Sequence, residues 1–274
     1  MINRRDFIKL ASCFGISGLL ANRLWDSQAQ AADIRVRKNI TVVSNDSEYI
    51  AAYRKGMTVM NSRPALDPTS WMYWANVHWM VPAVPEEMKN IWNQCEHGTD
   101  LFFPWHRAYI YFFEQILRDA TGFEGFNLPY WDWYTDPVLP LVFRENENNN
   151  SLWHPRNKKI NEGGSIDPGR NLERSCWGND IQQLIGGSSF SSLLDENPHG
   201  EVHLRVGSGI LDGSRGQFDM GNFRTSAKDP IFWLHHANVD RLWTVWSKMG
   251  GGRTNPSPTS KWSETPFTFD KAKL

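Results

Sequence analysis

Pro104-Trp-His-Arg-Ala-Tyr-Ile-Tyr-Phe-Phe-Glu-Gln-Ile-Leu-Arg-Asp119 is the stretch that decides the fold. Proline is the favoured first-turn residue of a helix, and no other run in the chain reads so clearly as helical. Working outward, Ser47 to Arg63 carries apolar residues at helical spacing (Tyr49, Ile50, Tyr53, Met57, Met60) until Pro64 and Pro68 break the pattern. Trp71 to Met80 is a further helical segment, followed by Pro82 and Pro85. Another helix is expected from Asp229 to Lys248, apolar at Ile231, Phe232, Leu234, Val239, Leu242, Trp243 and Trp246 and stopped by Gly250 to Pro258. Between Asn127 and Gly216 the pattern loosens, and the polar tract Glu145 to Ser151 and the glycine-rich tract Gly163 to Gly169 read as loops. No fixed-period repeat is visible. The expectation is a mainly α, single-domain helical bundle with few short strands, able to project side chains inward to a metal core.

Composition narrows the partners. Lys and Arg number 29 against 30 Asp and Glu, and no long basic run occurs, so the footprint needed for nucleic acid or an anionic membrane surface is missing. Tryptophan is abundant at 14 copies, much of it close to histidines, which suggests an aromatic-walled pocket as well as aromatic core filling.

Residues 1–31 read as an export signal. Asn3-Arg4-Arg5-Asp6-Phe7-Ile8-Lys9 resembles the twin-arginine consensus, the apolar run Leu10 to Ala21 follows, and small residues stand at Ala29-Gln30-Ala31. That run is well short of the ~20 residues that span a bilayer. The expectation is export by the twin-arginine machinery to the periplasm or beyond, with residues 32–274 as the mature domain and no membrane span within it. Cys13 would leave with the signal, and Cys95 and Cys176 would remain, too few for a disulfide-built scaffold.

Chemistry is concentrated in the histidines. Seven of the eight fall in compact neighbourhoods: His78, His97 with His106, His199 with His203, and His235 with His236. His154 lies outside them and reads as a surface or loop residue. A His-x-x-x-His spacing puts His199 and His203 on one helical face, one turn apart, so both can reach one ion. His97 and His106 would point about two and a half turns apart on a continuous helix. A helix starting at Pro104 leaves His97 in the preceding loop, free to fold back toward His106. Such clusters, without a thiolate or carboxylate pattern, argue for a metal that accepts neutral nitrogen, copper or zinc, and against a di-iron site built on Glu-x-x-His.

The segments Cys95 to Glu114, Pro198-His199-Gly-Glu-Val-His203 and Asp229-Pro-Ile-Phe-Trp-Leu-His-His236-Ala-Asn-Val-Asp240-Arg-Leu-Trp243 resemble the two copper-binding regions of the tyrosinase, catechol oxidase and haemocyanin family. Pro129-Tyr-Trp-Asp-Trp133 is similar to a structural motif of the same family, and together the matches span roughly residues 36 to 270. The resemblance implies two copper ions, one on His78, His97 and His106 and the other on His199, His203 and His236, with His235 as a neighbour. It implies oxidation of catechols to quinones with dioxygen reduced to water. Asp219-Met-Gly-Asn-Phe223 resembles the plant-type catechol oxidases, where an aromatic residue at the position of Phe223 leans over one copper; plain core packing is the other reading of Phe223. Where the plant pattern has a water-holding glutamate, this chain has Asp195 followed by Glu196, and either acid could take that role. Gly200 replaces the asparagine associated with monophenol attack, so tyrosine hydroxylation is expected to be weaker. Asp240 could orient a ligand ring or be a salt-bridged structural residue. Cys95-x-His97 resembles relatives in which the sulfur is bonded to an imidazole carbon; a free buried thiol and a disulfide to Cys176 are the alternatives.

Other function classes remain. A reversible oxygen carrier would use the same histidines without making quinone, and an o-aminophenol fits as well as a catechol. A two-zinc hydrolase would normally include a carboxylate ligand, and a copper store would favour thiolate or thioether donors. No feature of the sequence points to a copper-delivery partner.

Overall fold

The computed structural model describes residues 35–43, 48–79, 83–145, 147–167, 187–211, 214–256, 267 and 269. The expected signal peptide with Cys13, and Cys176, lie outside them. The architecture is helix-rich: α1 (Glu48–Asn61), α2 (Trp71–His78), α3 (Phe102–Thr121), a single turn α4 (Lys158–Asn161), α5 (Gly187–Leu194), α6 (Glu201–Gly207) and α7 (Ile231–Lys248). The described strands, β1 (Ser208–Leu211) and β2 (Ser214–Gln217), form one antiparallel hairpin.

Local chemistry sets the boundaries. α2 starts at Ser70, whose hydroxyl accepts from the Tyr73 N–H at 3.1 Å, and stops where Trp79 turns extended. α3 begins two residues before Pro104, which therefore sits inside the first turn, where no intrahelical donor is lost. It ends on Gly122 in a left-handed conformation (φ 69°), whose N–H donates to the Arg118 carbonyl. The start of α7 is held by Asp229: its Oδ1 accepts from the Ile231 N–H at 3.0 Å.

α1 packs on α3, and α3 on α7, around a core that includes Tyr53, Trp71, Trp74, Trp105, Tyr109, Phe113, Trp131 and Trp233. Trp233 stacks on Phe113 at 3.5 Å between ring centroids. The Pro129–Trp133 segment pairs at Tyr130 with the N-terminal extended segment, and its Trp131 N–H reaches the Leu234 carbonyl of α7. Within Asn127 to Gly216, where the sequence pattern loosens, 187–194 is helical and 208–211 pairs with 214–217, strands whose Gly209 and Gly216 kept their pattern out of sight.

α6 approaches the turn before Phe223 with no side chain between the backbones. A β-carbon on Gly207 would lie 1.9 Å from the Gly221 nitrogen. Beneath α7, Arg156 and Asp229 form a fully buried bidentate pair at 2.7 and 2.6 Å, and Arg156 also donates to the Phe143 carbonyl at 2.7 Å. Removing one partner strands a buried charge. Arg156→Met is expected to cost about 3–5 kcal/mol in denaturant unfolding, and a loss below ~1 kcal/mol would show that the pair does not hold α7 in place.

Candidate metal centre

Each histidine arrives on a different support. His78 is the last residue of α2, His106 lies in the second turn of α3, and His235 and His236 lie in α7. His203 is on α6, and His199 is on the wide helical turn Asp195–Gly200 that precedes it, interrupted at Asn197. His97 belongs to the loop ahead of α3, next to Gly98 in a left-handed conformation (φ 66°). The fold brings them into two adjoining groups with ligand atoms within 4.8 Å of one another: His78, Cys95, His97 and His106, and His199, His203, His235 and His236.

Hydrogen bonding fixes which ring nitrogens carry protons. The His106 Nδ1 is 2.8 Å from the Phe102 carbonyl, the His199 Nδ1 is 2.8 Å from the Asp195 carbonyl, and the His203 Nδ1 is 3.0 Å from the Met220 carbonyl. A carbonyl only accepts, so these three rings donate from Nδ1, which in a neutral ring leaves Nε2 a bare lone pair. The His97 Nδ1 is 2.7 Å from Asp195 Oδ1, and the same reasoning applies.

Burial holds the rings neutral. His78, His106, His203, His235 and His236 are pushed well below the ordinary imidazole range by burial and then by neighbouring histidines. His199 is lowered by burial against the opposing hydrogen bond to Asp195. Neutral lone pairs then face one another: the His203 and His199 Nε2 atoms are 3.2 Å apart, and both ring nitrogens of His78, His235 and His236 are buried with no protein partner. A bound cation would resolve that conflict, and neutral imidazole is what copper or zinc accepts.

The other residues singled out in the sequence fall into place around the groups. Asp195 is buried, with Oδ1 on His97 and Oδ2 accepting from the Gly98 N–H at 2.6 Å. Burial works to raise its pKa, but the hydrogen bonds from His199 and His97 outweigh it and hold the carboxyl far below the usual range. Its oxygens accept from His97 and Gly98. Glu196 is exposed.

Asp240 is ion-paired on both oxygens: Oδ2 takes Arg37 at 2.8 Å and Oδ1 takes Arg107 at 2.5 Å. Phe223 is not a core residue; it is 42% exposed, with its ring edge-on to His203 at 5.6 Å. The Cys95 sulfur lies 3.6 Å from the His106 Nε2, and burial pushes its thiol well above the ordinary range.

Two residues escaped sequence reasoning. His235 stacks on His199 at 5.2 Å with both nitrogens unpartnered, while His236 stacks on His106 at 4.4 Å. The adjacent pair thus faces both groups, which its i, i+1 spacing on a helix disguised. His154 Nε2 donates to Asp219 Oδ2 at 2.8 Å and anchors the turn that carries Phe223; the bond spans 65 residues and leaves no local signal.

The family model described as the common central domain of tyrosinase matches residues 68–188 and 169–249. Among curated proteins, the chain is 30% identical to a tyrosinase of Hahella sp. over 87% of its own length and 58% of that protein, and 30% identical to the chloroplastic polyphenol oxidase II of Ipomoea batatas over 82% and 43%. Among solved structures it resembles Grenache (Vitis vinifera) polyphenol oxidase, with a TM-score of 0.64, 28% identity and coverage of 83% of this chain and 74% of that one. A latent aurone synthase gives a TM-score of 0.67 at 25% identity, covering 82% and 50%. The chain spans about half the length of the curated relatives it matches. Because the family model takes in more than half of its residues, the chain belongs to the tyrosinase family, and its two histidine groups could hold the copper pair of that family.

Proposed function

We propose that this chain is a catechol oxidase: it converts o-diphenols to o-quinones while dioxygen is reduced to water. The observation that carries the reading is the meeting of unprotonated Nε2 atoms in a dry interior, His203 against His199 at 3.2 Å, with His78 and His236 unpartnered beside them. His78, His97 and His106 would hold one copper, and His199, His203 and His236 the other. A bound copper pair supplies the redox chemistry, accepting electrons from the phenol and passing them to dioxygen. Two catechols give up two protons and two electrons each, which balances one dioxygen reduced to two waters. The protein's part is placement. The Phe102, Asp195 and Met220 carbonyls lock their rings in the Nδ1–H tautomer, so no ligand has to lose a proton to bind metal. Phe232, at 4.3 Å from His236 and 4.9 Å from His78, walls the centre with apolar surface.

Phe223 would limit how far a phenol ring enters over His203, and Gly200 favours diphenols over monophenols. Residues 1–31 would direct the chain through the twin-arginine machinery. Among the described residues, no helix is long and apolar enough to cross a membrane.

Copper-loaded protein should contain about two coppers per chain and consume oxygen with catechol. His106→Ala and His203→Ala should each remove one copper and lower turnover by more than the ~100-fold typical of losing a supporting partner alone. Oxygen bound reversibly without quinone would turn the reading to a carrier.

Because Phe223 is 42% exposed, Phe223→Ala should cost less than ~1.5 kcal/mol, below the ~3–5 of a buried phenylalanine, and should admit bulkier phenols. Unchanged substrate preference would remove Phe223 from the gate.

A thioether between Cys95 and His97 is also proposed. Digestion of copper-loaded protein under reducing conditions should yield a linked peptide that reductant does not open, and Cys95 freely alkylated in active enzyme would exclude it.

A further inference from the structure

His97 is held unlike the other rings. His106, His199 and His203 donate from Nδ1 to backbone carbonyls, the first two to the residue four positions back in the same helical turn and the third to Met220 in the turn before Phe223. His97 has no helix beneath it, its side chain is 29% exposed, and its Nδ1 partner is a side chain, Asp195, 98 residues away in sequence. The Asp195 carboxylate does not hang loose. Its second oxygen takes the Gly98 N–H at 2.6 Å, so one acid grips both the ring and the backbone beside it. The backbone carbonyl of the same residue accepts from His199 at 2.8 Å. Asp195 therefore touches one histidine of each group: the carboxylate takes His97, and the carbonyl takes His199, whose Nδ1 also lies 3.4 Å from Oδ1.

We infer that Asp195 is a positioning residue for the first copper site: it aims the Nε2 of His97 at that site and ties the His97 loop to the turn that carries His199. A carboxylate that accepts from the far nitrogen of a ligand imidazole fixes ring and tautomer and makes the ring a better donor. Here the acid also closes the loop, since the Gly98 conformation (φ 66°) that a side chain would strain stays in place on that bond. No helix offers His97 a substitute acceptor, so the first site should depend on Asp195 more than the second does. The inference rests on the copper reading above.

The test uses the full chain loaded with copper, then a graded challenge with a copper chelator, with metal per chain as the readout. Asp195→Ala should release one of the two coppers at chelator concentrations 10–100-fold lower than wild type and keep the other. Asp195→Asn, with one accepting oxygen and one donating NH2, serves His97 or Gly98 but not both and should fall between. In copper-free, ¹⁵N-labelled wild type, His97 should be the Nδ1–H tautomer.

An Asp195→Ala chain that retains both coppers as wild type does overturns the inference, as does an Nε2–H tautomer at His97, which is read without any variant. Wild type that takes up no copper overturns the oxidase reading instead, so the two failures are separate.

Discussion

Neutral imidazoles buried together are the constraint on which this structure turns. Each ring must be kept dry, because a charged imidazole among its neighbours would be costly, and His97, His106, His199 and His203 spend their Nδ1 protons on outward acceptors so that the other nitrogen is bare. The acceptors are mostly backbone oxygens: Phe102 in the first turn of α3, Asp195 ahead of α6, and Met220 in the turn before Phe223. Those oxygens are in register only if the three segments sit correctly against one another. The glycine contact between Gly207 and Gly221 is one device that achieves this, since it brings α6 and the Met220 carbonyl within reach of His203. The Arg156–Asp229 pair is another, fixing the start of the helix that carries His235 and His236.

The charged groups outside the centre serve the same end at longer range. Arg37, in the N-terminal extended segment, binds both oxygens of Glu114 on α3 and one of Asp240 on α7, and Arg107 of α3 takes the other oxygen of Asp240. Exposed pairs contribute little, but this is a shared and largely buried network. It clamps together the two helices that carry His106 and His236, whose rings stack at 4.4 Å with 7° between their planes.

Sequence reading recovered the parts whose signal is local. The helical spacing of Tyr53, Met57 and Met60, the Pro104 helix and the His199–His203 spacing all correspond to elements in the structure, with ends displaced by a few residues. The placement of His97 in a loop before α3 was legible because Pro104 marks a first turn. What escaped were contacts between distant residues: Asp195 with His97, His154 with Asp219, Arg37 with Asp240. An aspartate leaves the same trace in a sequence whether it caps, pairs or orients. Asp240 and Asp195, one salt-bridged and one bonded to an imidazole, could be told apart only by what lies across the fold. The exposure of Phe223 was likewise invisible, since an aromatic in a loop reads the same over a cavity as in a core.

The two histidine groups are not equally rigid. His199, His203, His235 and His236 are all on helical turns and buried to within a few per cent. In the other group, His78 closes a helix, His106 is inside one, and His97 stands on a loop at the solvent edge. A site of three donors is only as well shaped as its least constrained member. The precision of the first group therefore rests on tertiary contacts to the His97 loop, while that of the second rests on helical turns together with the Met220 carbonyl that takes His203. The helices exclude water from the interior, and the exposed features, the His97 edge and the Phe223 ring, lie where loops instead of helices form the boundary.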